Sequence, residues 1–582
     1  MTFALLRTLL PFLKRYKGRF ALGFLIIVAN VAVYVAIPYI LKLAIDSLSQ
    51  GVSARRLLGY CGMLVGTVLV RGVLTYFQRL ILINTSRYLE YDLRNALLAR
   101  LETLSMSWFG RIRTGDIMAR ATNDLNAVRN MLGPGIMYSL NSVVLFVAVI
   151  SVLMRIDARL TLIAFLPAPF VSLAVQWFGK RIHERFERIQ SMFSTLATRV
   201  EENLAGLRIV RAYAREQQES DKFDALNYDY VKRNLRLVVL SGAFTPILQL
   251  LLGLAFVLVL WFGGRAVLAH QITLGSFVAF NAYMVQMSFP MIAMGWVINL
   301  VQRGSASLIR LRELLQEEPE IHDGPRTDTS IQTLRGEIEF RNLTFSYDGV
   351  PVLKDVNLRI PAGATIALVG HTGAGKSTLA SLIPRLYDAP SGSVLIDGHP
   401  VDTIPLAVLR HAIGLVPQET FLFSDTLRAN ITFGAPDASD EQVIEAASIA
   451  NLSGDIAGFP DGYDTRVGER GLTLSGGQKQ RTALARAIIR DPRILILDDA
   501  LASVDTITEE KILNHLAEVM RGRTTILISH RVSTVRNADF IVVLRNGAII
   551  EQGTHTELIG RGGAYAELYE KQLLEEELQQ VE

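Results

Sequence analysis

The chain of 582 residues has a single cysteine, Cys61, so an intramolecular disulfide is excluded. Cys61 lies in an apolar run and reads as a small buried or lipid-facing side chain, and the scarcity suits a reducing compartment on at least one side. Charge imbalance is also missing: 59 basic against 55 acidic residues leave a net +4, which gives no case for nucleic acid as a partner. The long apolar runs contain no acid near their middle, Asp46 being close to an end, and this argues against a dedicated proton or metal-ion relay. The N-terminus lacks a small-residue cleavage site. Residues 3–19, FALLRTLLPFLKRYKGR, mix apolar and basic positions and read as an amphipathic segment on a membrane surface, not a signal peptide.

Hydrophobicity is abundant. Half of the residues are hydrophobic, mean hydropathy is +0.30, and the length exceeds what one core accommodates. Apolar stretches at about 20–45, 57–83, 136–154, 158–179, 240–262 and 274–302 each approach or exceed the roughly 20 residues a helix needs to cross a bilayer. Lys14, Arg15, Lys17 and Arg19 flank the first and place the N-terminus in the cytoplasm. The even count puts both ends on one side. Short breaks near 46–56, 155–157 and 263–273 fall outside; Arg55, Arg56, Arg155 and Arg265 there depart from a clean positive-inside bias.

The long breaks, 84–135 and 180–239, are charged and helical in pattern, so the membrane helices are expected to continue into the cytoplasm. Each excursion turns back at an interruption, near Ser107–Thr114 and within 202–216, where a short transverse helix is expected. Pro38, Pro246 and Pro290 permit kinks. Asn30, Tyr34, Gln176, Gln249, Asn281, Gln286 and Asn299 put polar groups at or near membrane depth, where they bond across helices or touch a substrate. Arg71 is the one charge clearly mid-span; it meets either an anionic substrate group or a neighbouring helix, and alone it makes no charge cluster that would select a head group.

Residues 316–334 are polar, carry two prolines and a glycine, and read as a linker between a membrane domain at 1–315 and a second domain at 335–582. The second domain alternates strands and helices, as a nucleotide-binding α/β domain does. GEIEFRNLTFSY (336–347) alternates like an edge strand and ends in Tyr347, an aromatic available to stack on adenine. The domain is organised around GHTGAGKST: Gly370, His371, Thr372, Gly373, Ala374, Gly375, Lys376, Ser377 and Thr378. An apolar strand precedes this run and a helical pattern follows it, which is the context of a phosphate-binding loop. The glycines let backbone N–H groups wrap an anion, and the helix start adds positive potential. Lys376 can reach the β- and γ-phosphates of ATP, and the Ser377 hydroxyl can ligate Mg²⁺.

Further strand ends carry polar residues. RILILDD (493–499) places Asp498 to hold Mg²⁺ and Asp499 beside an attacking water. Gln418 follows the strand IGLVP as a γ-phosphate or Mg²⁺ sensor, and His530 ends TTILISH within reach of the γ-phosphate. Each alone is an ordinary polar strand end, but on successive strands they form one site. LSGGQ (474–478) places Ser475, Gly476, Gly477 and Gln478 at a helix start as a second anion site. If the two loops lie on different faces, one nucleotide bridges both only in a head-to-tail dimer.

On GHTGAGKST, Tyr347, Gln418, TRVGERG (465–471), LSGGQ, LILDD, ASVD ending at Asp505, and His530, the chain resembles the ABC transporter superfamily, specifically bacterial multidrug- and lipid-type exporter half-transporters. The resemblance covers essentially the whole chain. It implies an α-helical membrane domain of six transmembrane helices with long cytoplasmic extensions, fused to an α/β P-loop nucleotide-binding domain. It also implies ATP and Mg²⁺ as cofactors, a second half-transporter as partner, and ATP-driven alternating access. The coupling helices then match residues near 107–114 and 206–214, with TRVGERG facing them, and Asp505 communicates between the two ATP sites.

One residue departs from that pattern. The family's glutamate after the Mg²⁺-binding aspartate is Asp499 here, one methylene shorter. A displacement of roughly 1 Å at a reacting atom can cost about 10²-fold in rate. The expectation is a slow ATP site, with the chain as the degenerate half of a heterodimer; a homodimer stays open. The expected cargo is a small hydrophobic or amphipathic compound, drug or lipid, exported across the cytoplasmic membrane. A lipid-flippase homodimer and an ATP-gated or regulatory subunit are the alternatives. A soluble ATPase of DNA repair or translation would lack the apolar runs, and an importer usually keeps membrane and ATPase parts on separate chains.

Overall fold

A computed structural model describes residues 3–51, 53–471, 473–529 and 531–581. The chain divides into two compact units, residues 1–98 with 117–316 and residues 99–116 with 317–582. The turn-back at 99–116 thus belongs to the unit that carries the α/β sheet.

In the first unit, α1 (Phe3–Arg15) precedes six apolar spans. These are α2 (Lys17–Leu48), α3 (Ala54–Leu101), a segmented third span ending in α7 (Ile136–Ile156), a fourth made of α8 (Ala158–Ala164) and α9 (Ala168–Ala205), α11 (Glu216–Leu268) and α12 (Leu274–Gln316). The short helices α4 (Met106–Arg111), α5 (Thr114–Ala119), α6 (Leu125–Asn130) and α10 (Leu207–Ala212) complete the order. The 48 residues of α3 rise about 72 Å at 1.5 Å each, well beyond a hydrocarbon core of about 30 Å. The expected extensions are therefore continuous with the spans, and α4 and α10 occupy the two expected turn-backs.

Pro38, Pro246 and Pro290 sit within unbroken α2, α11 and α12. Among the described residues, interruptions of the spans fall at a π turn over Arg120–Asp124, at a second over Met131–Gly135 that contains Pro134, and at 165–167 between α8 and α9. Pro38 is accommodated because α12 supplies what it removes. Proline has no N–H and its ring crowds the preceding turn, which frees nearby carbonyls. The Tyr283 hydroxyl donates to Val35 O at 2.8 Å and Gln286 Nε2 to Tyr34 O at 3.0 Å.

Helices α2, α7 and α12 enclose the apolar core around Ile27, Val31, Leu145, Val149, Phe280 and Tyr283. Close approach is set by small residues: a Cβ on Gly23 would lie 2.5 Å from Leu82 Cδ2. At the opposite end of α2, Asp46 accepts from Gly275 N at 2.8 Å and from the Thr273 hydroxyl at 2.9 Å. Asn30 and Gln286 face the interior as expected, whereas Gln176, Gln249 and Asn299 stand on exposed surface of the chain. Helices α9 and α11 pack along one another, with Phe193 and Tyr230 at 6.1 Å and Arg185 Nη1 donating to Arg236 O at 2.6 Å.

The second unit holds two sheets. One is antiparallel in the order β2 (Val350–Ile360), β1 (Ile338–Tyr347), β4 (Val394–Ile396), β5 (His399–Pro400). β1 is thus paired on both sides, not an edge strand; its alternation reflects one buried face of an antiparallel sheet. The other runs β10 (Ala548–Gly553), β9 (Phe540–Arg545), β3 (Thr365–Val369), β8 (Thr524–Ile528), β7 (Ile494–Asp498), β6 (Ile413–Val416), parallel except for β10. Its central strands are buried along their length, as a sheet covered on both faces requires. Parallel strands align their carboxyl ends, so the ends of β3, β6 and β7 gather the polar residues expected there from the sequence.

Candidate ATPase site

β3 ends at Val369, and the loop 370–375 leads into α13 (Lys376–Leu382). Two glycines are required by space as well as by conformation. Gly370 has φ +145°, and a Cβ there would lie 2.2 Å from Leu544 O. Gly375 has φ +100°, and its Cβ would meet Leu353 Cδ2 at 2.7 Å. The loop therefore closes tightly against β9 and β2. Lys376 is buried, and its Nζ donates to Gly370 O at 2.7 Å and to His371 O at 3.2 Å. Burial pushes the ammonium below its usual pKa, opposed by the nearby carboxylates of Asp499 and Asp498. A desolvated cation inside a ring of backbone is a fit for polyphosphate, whose charge would compensate that desolvation.

Asp498 closes β7 and is buried. Asp499 follows with φ +45°, a conformation aspartate tolerates better than most residues, and its N–H donates to Ile528 O at 2.9 Å on β8. Gln418, just beyond β6, donates from Nε2 to Asp499 Oδ2 at 3.4 Å. The structure therefore brings Lys376, Asp498, Asp499 and Gln418 together. Tyr347 packs edge-on to Phe345 at 4.9 Å and to Tyr387 at 5.1 Å. It ends β1 in the same hairpin as Leu353, the side chain seated against Gly375. His530 lies outside the described residues.

Ser475 caps the helix Gly476–Ile488: its Oγ accepts from Gln478 N at 3.2 Å while Gln478 Oε1 accepts from Ser475 N at 3.0 Å. Gln478 Nε2 also donates to Asp455 Oδ1 at 2.9 Å. Gly476 and Gly477 let Ser503 approach: a Cβ would lie 3.2 Å from Ser503 Cβ and 3.1 Å from Ser503 O respectively. Asp505 caps the helix Thr506–Met520 by accepting from Thr508 N at 2.9 Å, and that bond holds its carboxyl below the usual pKa. Within TRVGERG, Val467 N donates to Asp425 O at 2.8 Å and Gly468 N to the Thr473 hydroxyl at 3.1 Å.

Sequence reasoning passed over two connectors. Gln480 donates to Asp499 O at 3.3 Å and accepts from Ser503 N at 2.8 Å, tying the LSGGQ helix to the end of β7. Its place two residues past LSGGQ was the available signal. Glu509, buried at 2% exposure, pairs with Arg531 and accepts from the Thr534 hydroxyl at 2.5 Å. Arg531 also donates to Val504 O at 3.1 Å, so it braces the chain next to position 530.

Two family models match the chain, the ABC transporter transmembrane region over residues 20–291 and ABC transporter over residues 353–502. The probable multidrug resistance ABC transporter ATP-binding/permease protein YheI of Bacillus subtilis is 37% identical over 576 residues, covering 98% of each chain. This chain belongs to the ABC transporter family. It is 36% identical to the multidrug resistance-like ATP-binding protein MdlA of Escherichia coli, over 97% of this chain and 95% of that one. It is 34% identical to an ATP-dependent lipid A-core flippase of Syntrophus aciditrophicus, over 98% and 95%. Among solved structures, a bacterial Atm1-family ABC exporter with ATP bound superposes with a TM-score of 0.78 at 29% identity, covering 96% of this chain and 98% of that one. As an ABC exporter the chain is a multi-pass membrane protein, and its ATPase domain couples ATP hydrolysis to transport.

Proposed function

We propose that this chain is one half of a dimeric exporter that moves hydrophobic or amphipathic compounds, drug or lipid-like, out across the cytoplasmic membrane. ATP is held by the loop Gly370–Thr378, with Lys376 on its outer phosphates and Tyr347 beside the base. Mg²⁺ neutralises phosphate charge when bound, and Ser377, Gln418 and Asp498 are the residues that would hold it. Asp499 orients the attacking water, and His530 supports the γ-phosphate. Ser475, Gly476, Gly477 and Gln478 complete the site of the partner chain. Binding drives the membrane domain outward only insofar as the closed pair of ATPase domains makes contacts that the open pair lacks.

The observation that carries the dimer is the cytoplasmic hairpin of α9, α10 and α11. It leaves Leu204, Ile209, Tyr213 and Tyr228 between 66% and 74% exposed, where water and not lipid would meet them. An apolar strip of that kind calls for another protein. Asp499 in place of glutamate favours a partner of different sequence, carrying glutamate at the matching position; a lipid-flippase homodimer is the second reading. The test is isolation of the tagged chain from its own membranes, followed by transport in inside-out vesicles. Recovery of a second half-transporter, with ATP-dependent uptake lost in Lys376→Ala, supports the proposal. Full activity from this chain alone points to the homodimer, and uptake unchanged in Lys376→Ala excludes the site.

A further inference from the structure

Helices α2, α3, α7 and α12 enclose a cavity of about 300 Å³ within the membrane unit. The face of α3 that lines it carries Arg71, Thr75, Gln78 and Arg79, at the spacing of one helical stripe. Arg71, alone in the sequence reading, thus acquires a second cation two turns nearer the cytoplasm, about 12 Å along the helix axis. Among the described residues neither arginine has a carboxylate partner. The Arg71 guanidinium lies 3.5 Å above the centre of the Tyr34 ring. This contact occupies the flat face of the guanidinium, leaving its N–H edge to the cavity.

The wall opposite adds an acceptor. Gln286 is 7% exposed and spends its amide N–H on Tyr34 O, while its Oε1 has no hydrogen-bond partner among the described residues. Asn30 and Gln78 differ: they satisfy one another, Asn30 Nδ2 donating to Gln78 Oε1 at 2.7 Å. Among the described residues the cavity therefore presents two cations without counter-ions and one buried acceptor without a donor. An arginine at mid-membrane is costly to hold charged, a cost that a ligand anion would offset.

We propose that the cargo is an amphipathic anion whose phosphate or carboxylate is taken by Arg71 and Arg79, with a hydroxyl or amide donor beside it that meets Gln286 Oε1. The inference rests on the exporter reading. Its acid group enters past Arg79 and settles against Arg71, and the apolar tail lies along the surrounding helices. A cationic amphiphile is repelled.

The test is binding of tritiated monododecyl phosphate to the nucleotide-free protein in phosphatidylcholine nanodiscs. Saturable binding is expected, with no competition from dodecyltrimethylammonium. Arg71→Gln weakens it about tenfold or more, the worth of a charge-assisted hydrogen bond, and Arg71→Lys restores part of the loss. Arg79→Gln weakens it less; if Arg71→Gln does not accumulate as folded protein, this exposed position decides. Competition by phosphatidylglycerol in the nanodisc assigns the anion to a membrane lipid, and its failure to compete assigns it to a detached amphiphile. Equal competition by the cation, or wild-type affinity in the Gln variants, overturns the proposal. ATP-dependent flux separates the two readings. Flux of cations without anion binding leaves the exporter standing and sinks this inference, while anion binding without flux does the reverse.

Discussion

Gln286 Nε2 donates to Tyr34 O at 3.0 Å, and Tyr34 is the residue whose helical donor Pro38, four positions on, does not provide. The α12 side chain thus completes the backbone of α2. Replacing Gln286 with Leu should cost about 1–3 kcal/mol by leaving a buried carbonyl unsatisfied. The cost should shrink when Pro38 is also changed to Ala, because residue 38 then supplies an N–H of its own. A thermal or denaturant double-mutant cycle measures the coupling, and additive losses would show that the two groups do not depend on one another.

Asp499 sits at φ +45° with Gln418 3.4 Å from its carboxylate, and it is one methylene shorter than the family's glutamate. Asp499→Glu should raise phosphate release by about tenfold to a hundredfold if that shortfall limits turnover. It should also lower stability by roughly 1 kcal/mol or less, since glutamate tolerates left-handed backbone less well than aspartate. An unchanged rate with normal ATP binding would show that the shorter acid does not limit turnover.

Glu320 holds α4 within the ATPase unit. Its carboxylate accepts from the Ser107 hydroxyl at 2.6 Å and the Ser105 hydroxyl at 2.7 Å, and it pairs with Arg111 at 2.8 Å. The Ser107 and Ser105 bonds hold its pKa below the usual glutamate value; burial opposes them, and Arg111 adds a smaller lowering. A depressed carboxyl stabilises above its unfolded pKa of about 4.3 and loses that contribution as pH falls through the folded value. Glu320→Gln should therefore speed amide exchange across 106–111 at pH 7 by up to about fivefold, the modest scale of an exposed pair. The difference from wild type should close below about pH 4. A gap that persists at lower pH would show that the ionised carboxylate is not what holds α4.

A Cβ on Gly275 would lie 2.3 Å from Lys42 O and 2.5 Å from Asp46 Oδ1. Gly275→Ala should cost about 1–3 kcal/mol by forcing α2 and α12 apart. Gly72→Ala is the control, because nothing lies within 4 Å of its Cβ. A thermal melt in which both variants match wild type would remove the close approach of α2 and α12.

Much of the architecture was legible because it follows from patterns within single segments. Six apolar runs and their helical continuations need only hydropathy and period, and the polar ends of β3, β6 and β7 need only a buried strand closing in Gln418, Asp498 or a glycine loop. Partnership between distant segments was not legible. Nothing local to VYVAIPY shows that Tyr283 and Gln286, some 250 positions on, supply donors to the carbonyls around Pro38. β1 looked like an edge because alternation reports one buried face and not the number of neighbours. Gln480 passed as an ordinary helix residue because its two bonds join segments about 20 residues away. Arg79 was within reach of the periodicity, eight positions after Arg71 on the same helix, but only the cavity showed that both face one space.

The wide turn at Met131–Gly135 sets the rotational phase of α7. A π turn holds about one residue more than the α turn it replaces, and each residue of a helix advances its side chain by about 100°. Tyr138 and Asn141 line the cavity because that additional residue is there. Deleting one position in the turn would swing both toward a different neighbour while leaving every apolar side chain apolar, so chain length at this point acts as a dial for what the cavity can grip.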